Sequence, residues 1–278
     1  MKLALVVSVE ETAFDAVAVR GGWREGIALA AELGYEGVEL AVRDPAAVDP
    51  EALARAARSA GLAVPAIGTG QAYLKDGLSL CDADEGVRTR AIERMEAHIR
   101  LAGSLGAAVI VGLLRGRLAG GGPAARARLE RSLHALLPIA ERAKVPILIE
   151  PINRYETDFL TTIDEVVAFA RRLGSPVLGV LADTFHMNIE ERSMTAALAA
   201  AGERLRHVHV ADSNRLAPGW GHLDFAAIIR ALREIGYDGF LSAEILPQPD
   251  PRAAARQVVA HLRPLLEMTE AQHKGGYA

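Results

Sequence analysis

Four short apolar runs in the C-terminal half of the chain each deliver a side chain that is costly to desolvate. VPILIE ends on Glu150, VLGVLAD ends on Asp183, HVHVAD carries His209 and FLSAEI carries Glu244. If the four side chains meet, three carboxylates and an imidazole repel and desolvate one another unless a cation holds them. Oxygen-rich ligation with one nitrogen suits Mn²⁺, Mg²⁺ or Co²⁺ better than a thiolate-loving metal. Four protein ligands also leave two positions open on an octahedral ion. Taken singly, each residue has an ordinary structural explanation. Glu150 precedes Pro151 and could cap a loop, and His209, like His207 on the same face, could be a hydrogen-bonded core histidine. The repetition in consecutive runs is what points to a metal.

Side chains far apart in sequence meet only if the elements carrying them sit side by side. Apolar, β-branched runs recur along the whole chain: LALVV (3–7), GVEL (37–40), AVPAIG (63–68), AAVIVG (107–112), then 145–150, 177–183, 207–212 and 240–245. Amphipathic stretches separate them, at 24–34, 49–61, 87–106, 125–143, 162–174 and 224–236. Gly34, Gly61, Gly106, Gly174 and Gly236 each close such a stretch, at the position where a helix ends in a left-handed residue. The unit of about 35 residues suits one strand and one helix. Eight units predict a single (β/α)8 barrel domain over 1–278, with right-handed crossovers, in preference to an open doubly wound sheet. In such a barrel the last four strand ends are neighbours on one rim, where barrel enzymes place their sites.

Further polar groups fall in the strand-to-helix loops of that rim. Glu156 follows Glu150 in EPINRYETDF, His186 follows Asp183 in DTFHMNIEE, and Arg215 follows His209 in HVADSNR. Gln71 lies just past the third strand, and Arg115 and Arg117 just past the fourth. If both arginines face the rim, they form a cationic fork for a carboxylate at the far end of a substrate. Trp220 is a candidate wall of the pocket, His222 a candidate for a loop hydrogen bond, and Asp224 a helix cap. The Gly-rich RLAGGGPAA (117–125) is expected to open a mobile loop on the same face. AIGTG lacks the Lys-Ser/Thr of a phosphate loop, which argues against a nucleotide.

Composition narrows the partners. The net charge of −4 with no densely basic segment disfavours nucleic acid and anionic membrane. No stretch approaches the roughly 20 apolar residues of a membrane span. MKLALVVSVE lacks the long apolar region and cleavage site of a signal peptide. Cys81 is the only cysteine, so no internal disulfide forms, which fits a reducing cytoplasmic setting. A homo-oligomer, dimer or tetramer, is compatible with the sequence.

The quartet, together with DTFHMN, HVADSNR and GWGHLDF, resembles the xylose-isomerase-like barrels, and most closely the branch of D-tagatose 3-epimerase and related ketose 3-epimerases. Within that branch, AIGTGQAYLKDGLSL, GLLRGR, EPINRYETDF and LADTFHMNIEE look like the 5-keto-L-gluconate epimerases of inositol catabolism, which interconvert 5-keto-L-gluconate and D-tagaturonate. The resemblance implies one divalent metal, usually Mn²⁺, on Glu150, Asp183, His209 and Glu244. It also implies Glu150 and Glu244 as the acid–base pair, and Glu156, His186 and Arg215 as substrate contacts. Metal on the keto oxygen and the neighbouring hydroxyl would stabilise a cis-enediolate, and a carboxylate on each face would then invert the carbon. Four rivals remain at this level. A ketose 3-epimerase acting on neutral sugars, or an aldose–ketose isomerase such as hydroxypyruvate isomerase, uses the same enediolate. A DNA-repair endonuclease on the same fold needs a histidine-rich multi-zinc site and a cationic groove. A catalytically silent sugar-binding module would not need the quartet.

Overall fold

The computed structural model describes residues 1–12, 14–118 and 121–268. Ala119 and Gly120, in the segment expected to form a mobile loop, lie outside the described residues.

Eight parallel strands close into a barrel in sequence order. They are β1 (Lys2–Ser8), β2 (Gly37–Ala41), β3 (Ala66–Gly68), β4 (Ala108–Val111), β5 (Ile147–Ile149), β6 (Leu178–Asp183), β7 (Leu205–Val210) and β8 (Phe240–Ala243). Pairing of β1 with both β2 and β8 completes the ring. The predicted amphipathic stretches become α1 (Trp23–Glu32), α2 (Pro50–Ser59), α4 (Glu85–Leu105), α5 (Gly122–Ala143), α6 (Ile163–Leu173) and α9 (Phe225–Glu234). Four further helices were not anticipated: α3 (Gly70–Asp76), α7 (Thr184–Glu190), α8 (Met194–Ala201) and α10 (Pro251–Glu267). Two of these are only seven residues long, too short for a helical period to show in sequence.

The helices form because their apolar residues recur every three or four positions. In α9, Phe225, Ile228, Ile229 and Leu232 make one buried stripe, and Asp224 caps the first turn by accepting the Ala227 N–H at 2.9 Å. Each such side chain taken from water contributes roughly 1.5–3 kcal/mol. Gly106 and Gly174 end α4 and α6 with φ of 69° and 70°, a conformation a Cβ would strain. The other three predicted helix-ending glycines also have positive φ.

Most of the core lies between the outer strand faces and the helices. The barrel interior is divided. Ala66, Ala108, Ile110, Leu148 and Leu181, on β3 to β6, form a separate apolar cluster. On β2, β7 and β8 the buried residues include Glu39, His207, His209 and Ser242. No helix among the described residues is long and apolar enough to cross a membrane.

Candidate active site

Register carries the quartet to one place. Asp183 pairs with His209 across β6 and β7, and Val210 pairs with Ala243 across β7 and β8, so Glu244 emerges beside them. Val111 pairs with Ile149, and Glu150 follows at once. His209 Nδ1 lies 3.4 Å from Glu150 Oε1, 3.8 Å from Asp183 Oδ2 and 3.7 Å from Glu244 Oε1. One donor atom from each of the four falls within 4.8 Å of all the others. Glu150 Oε1, Asp183 Oδ2 and His209 Nδ1 are buried without a hydrogen-bond partner. Buried polar atoms are nearly always satisfied, so three orphans facing one point call for a missing partner. Oxygens about 2.1 Å from a small octahedral ion lie roughly 3 Å apart when adjacent, and the cluster needs little contraction to reach that spacing. The donor set therefore fits a hard or borderline divalent cation.

Electrostatics say the same. Burial pushes the Glu244 carboxyl up to about 8, with Glu150 and Asp183 adding to the effect against His209 and Arg215. Burial likewise lifts Asp183 to about 6, despite the neighbouring His209. His209 is held well above the ordinary histidine range, because the Glu39 and Glu244 carboxylates outweigh its burial. Glu150 is held below the usual carboxylate range, its burial outweighed by the pull of His209, His186 and Arg115. Without a cation the cluster borrows protons to balance its charge.

Glu156, His186, Arg215 and Gln71 line the same cavity, with Phe14 and Ile152. Arg215 donates to Glu156 Oε1 and to Glu244 Oε2, both at 3.2 Å, and lies over the rings of Phe14 and Phe185. Its φ of 62° is a left-handed value for a residue with a Cβ, and the surrounding loop imposes it. Arg215 N–H donates to Asp212 O, and its own carbonyl accepts from Leu246 N–H. The Asp212 carboxylate in turn ties down Ser213, Gly219 and Leu223 N–H. His186 was expected in a loop and sits instead on α7, whose N-cap is Asp183 itself. Asn153 Oδ1 accepts the Tyr155 N–H, so its amide nitrogen faces His186 Nδ1 at 2.7 Å and Glu156 at 3.0 Å. His186 Nδ1 must then accept, and the proton sits on Nε2. Burial holds His186 down to about 3, so it is a neutral donor. Gln71 lies in the first turn of the short helix α3 and donates to Ser8 Oγ at 3.0 Å.

The arginine fork is not formed as expected. Arg115 is fully buried and does not line the cavity. Its guanidinium donates to the carbonyls of Gly112, Glu150, Phe159 and Leu160. A tight turn at Leu113–Arg115 carries the side chain beneath the loop, where it fastens the end of β5. Arg117 is exposed and lines the outer mouth with Phe14, Tyr73, Glu156 and Arg215. Trp220 and His222 do not line the cavity; the His222 N–H donates to Ser213 Oγ within its own loop.

Glu39 and Asn153 were missed. Glu39 lies in mid-strand in GVEL, and its carboxylate inside an apolar run was the available signal. Gly112 also matters, because a Cβ there would stand 2.6 Å from Glu150 Oε2. Gly112→Ala is expected to leave the far-ultraviolet circular dichroism unchanged, since only a side-chain end must move. Turnover should fall about 100-fold, the cost of misplacing a reacting group by an ångström.

Comparison with known proteins agrees with this geometry. The sequence pattern of the family described as "Xylose isomerase-like TIM barrel" matches residues 27–265. An L-ribulose 3-epimerase of Mesorhizobium japonicum is 36% identical over 220 residues, covering 77% of this chain and 72% of the relative. A ketose 3-epimerase of Arthrobacter globiformis is 32% identical over 222 residues, covering 78% and 75%. A solved L-ribulose 3-epimerase structure superposes with a TM-score of 0.83 at 27% identity, covering 100% of this chain and 98% of that one. Eight strands in ring order, four convergent candidate ligands and this match over most of the chain place it in one group: the chain belongs to the xylose isomerase-like TIM barrel family.

Proposed function

We propose that the protein is a divalent-metal-dependent sugar epimerase that inverts the carbon beside a keto group, with 5-keto-L-gluconate and D-tagaturonate as its substrate pair. The observation that carries the reading is the convergence of three unpartnered buried donor atoms with Glu244 at the mouth of one cavity. Similarity to proteins named L-ribulose 3-epimerase and ketose 3-epimerase supports the reaction type. A divalent ion, Mn²⁺ by preference, held by Glu150, Asp183, His209 and Glu244 supplies Lewis acidity that makes the carbon acid beside the ketone easier to deprotonate.

The chain's own residues do the rest. Glu150 and Glu244 come from strands that are not neighbours, and both line the cavity. One takes the proton from its face of the sugar and the other returns a proton to the opposite face; their roles exchange with reaction direction. Arg215 steadies Glu244 through its 3.2 Å hydrogen bond. His186, with its proton on Nε2, donates to a sugar oxygen and stabilises charge developing there. Phe14 and Ile152 wall the cavity with apolar surface.

The uronate assignment rests on the loop segments and on Arg117, an exposed cation at the outer mouth. In a screen with Mn²⁺, D-tagaturonate and 5-keto-L-gluconate should turn over faster than D-tagatose, D-fructose or hydroxypyruvate. Arg117→Ala should raise KM for D-tagaturonate roughly three- to tenfold and leave D-tagatose unaffected, the scale of one exposed charge-assisted hydrogen bond. D-fructose turning over as fast as the uronates would remove the carboxylate from the assignment.

A further inference from the structure

We propose that Glu39 is a positioning residue that decides which nitrogen of His209 is presented to the cation site, and so sets the metal affinity of that site. The proposal rests on the reading of His209 as a metal ligand. Glu39 is 1% exposed on β2, and its carboxylate reaches through the barrel interior to β7. Oε2 lies 2.7 Å from His207 Nε2, and Oε1 lies 2.9 Å from His209 Nε2. An ionised carboxylate only accepts, so both Nε2 atoms carry their protons. A neutral His209 then has its lone pair on Nδ1, the atom that faces Glu150, Asp183 and Glu244 and lacks a partner of its own. His207 occupies the second oxygen and stops the carboxylate from turning away.

The arrangement is a carboxylate–histidine pair behind a metal ligand, which fixes the ring and raises its basicity. Glu39, His207 and His209 also lie close enough to hold an ion of their own. His209 Nε2 is already committed to Glu39, however, and the buried unpartnered atom of that trio, His209 Nδ1, faces Glu150, Asp183 and Glu244 instead. The trio is therefore assigned as support for the site rather than as a second site.

Titration calorimetry with Mn²⁺ tests this on the wild type, Glu39→Gln, Glu39→Asp and Asp183→Ala. The wild type should bind one ion, and Asp183→Ala should lose that binding. Glu39→Gln should bind roughly 10- to 100-fold more weakly with unchanged circular dichroism. Glu39→Asp, too short to reach both rings, should fall between wild type and Glu39→Gln. In the Mg²⁺-loaded wild type, imidazole ¹⁵N shifts should show the His209 proton on Nε2. Wild-type-like affinity in folded Glu39→Gln, or a proton on Nδ1, overturns the role of Glu39 while leaving the metal site intact. Two ions per wild-type chain, with one lost in Glu39→Gln, overturns it by making Glu39 a ligand. Absence of Mn²⁺ binding in the wild type overturns both this proposal and the metal reading beneath it.

Discussion

Glu244→Gln, saturated with Mn²⁺, should epimerise either sugar about 10²- to 10⁴-fold more slowly than the wild type, the usual contribution of a positioned acid–base group. Glutamine keeps the size of the side chain and one oxygen for ligation, but it cannot carry a proton to and from carbon. Its partner Glu150 is untouched, so one epimer should still lose its hydrogen to solvent deuterium without inverting. Glu150→Gln should show the mirror pattern, with exchange surviving in the other epimer. Proton NMR in D₂O reads both results, since the signal of the hydrogen beside the ketone fades while the starting sugar persists. If one variant exchanges both epimers at the wild-type rate, the two glutamates do not divide the faces between them. Deuterium on the neighbouring carbon would instead identify an aldose–ketose isomerase.

Chelation should remove turnover entirely, and added Mn²⁺ should restore it. The larger consequence concerns stability. The quartet crowds three carboxylates into a buried site, where burial and mutual repulsion lift Glu244 to about 8 and Asp183 to about 6. A cation that binds only the folded chain stabilises it by about 2.7 kcal/mol at 100 times its dissociation constant. For a domain of this size that is a rise in Tm of roughly 5 °C or more. Differential scanning calorimetry with and without Mn²⁺ measures it. Asp183→Asn should abolish the rise, because the amide withdraws one anionic ligand, whereas an exposed control such as Glu51→Gln should keep it. An equal Mn²⁺-induced shift in Asp183→Asn would mean that the ion binds elsewhere.

The barrel and its four candidate ligands were legible because the runs at 145–150, 177–183, 207–212 and 240–245 each carry an ionisable residue toward the rim end of an otherwise largely apolar stretch. What spacing could not reveal was direction. Arg115 and Arg117 are two residues apart, yet the tight turn at Leu113–Arg115 folds the first under the loop and leaves the second in the open. Glu39 stayed hidden because β2 is buried on both faces, so its strand shows no alternation to flag one inward carboxylate. Asn153 acts on a histidine 33 residues away, and only the fold brings the two together. The short helix α7 escaped because Asp183 is both a strand end and an N-cap, and α3 because seven residues are too few to show a helical period.

The divided interior of the barrel has a consequence for anyone wishing to alter this scaffold. Ala66, Ala108 and Leu148 do not line the cavity, so their volumes can be traded against one another with little risk to the chemistry. The opposite wall allows no such exchange, because Glu39, His207 and His209 form one hydrogen-bonded unit. Mutational tolerance in this cylinder should therefore be lopsided, generous on one flank and nearly nil on the other.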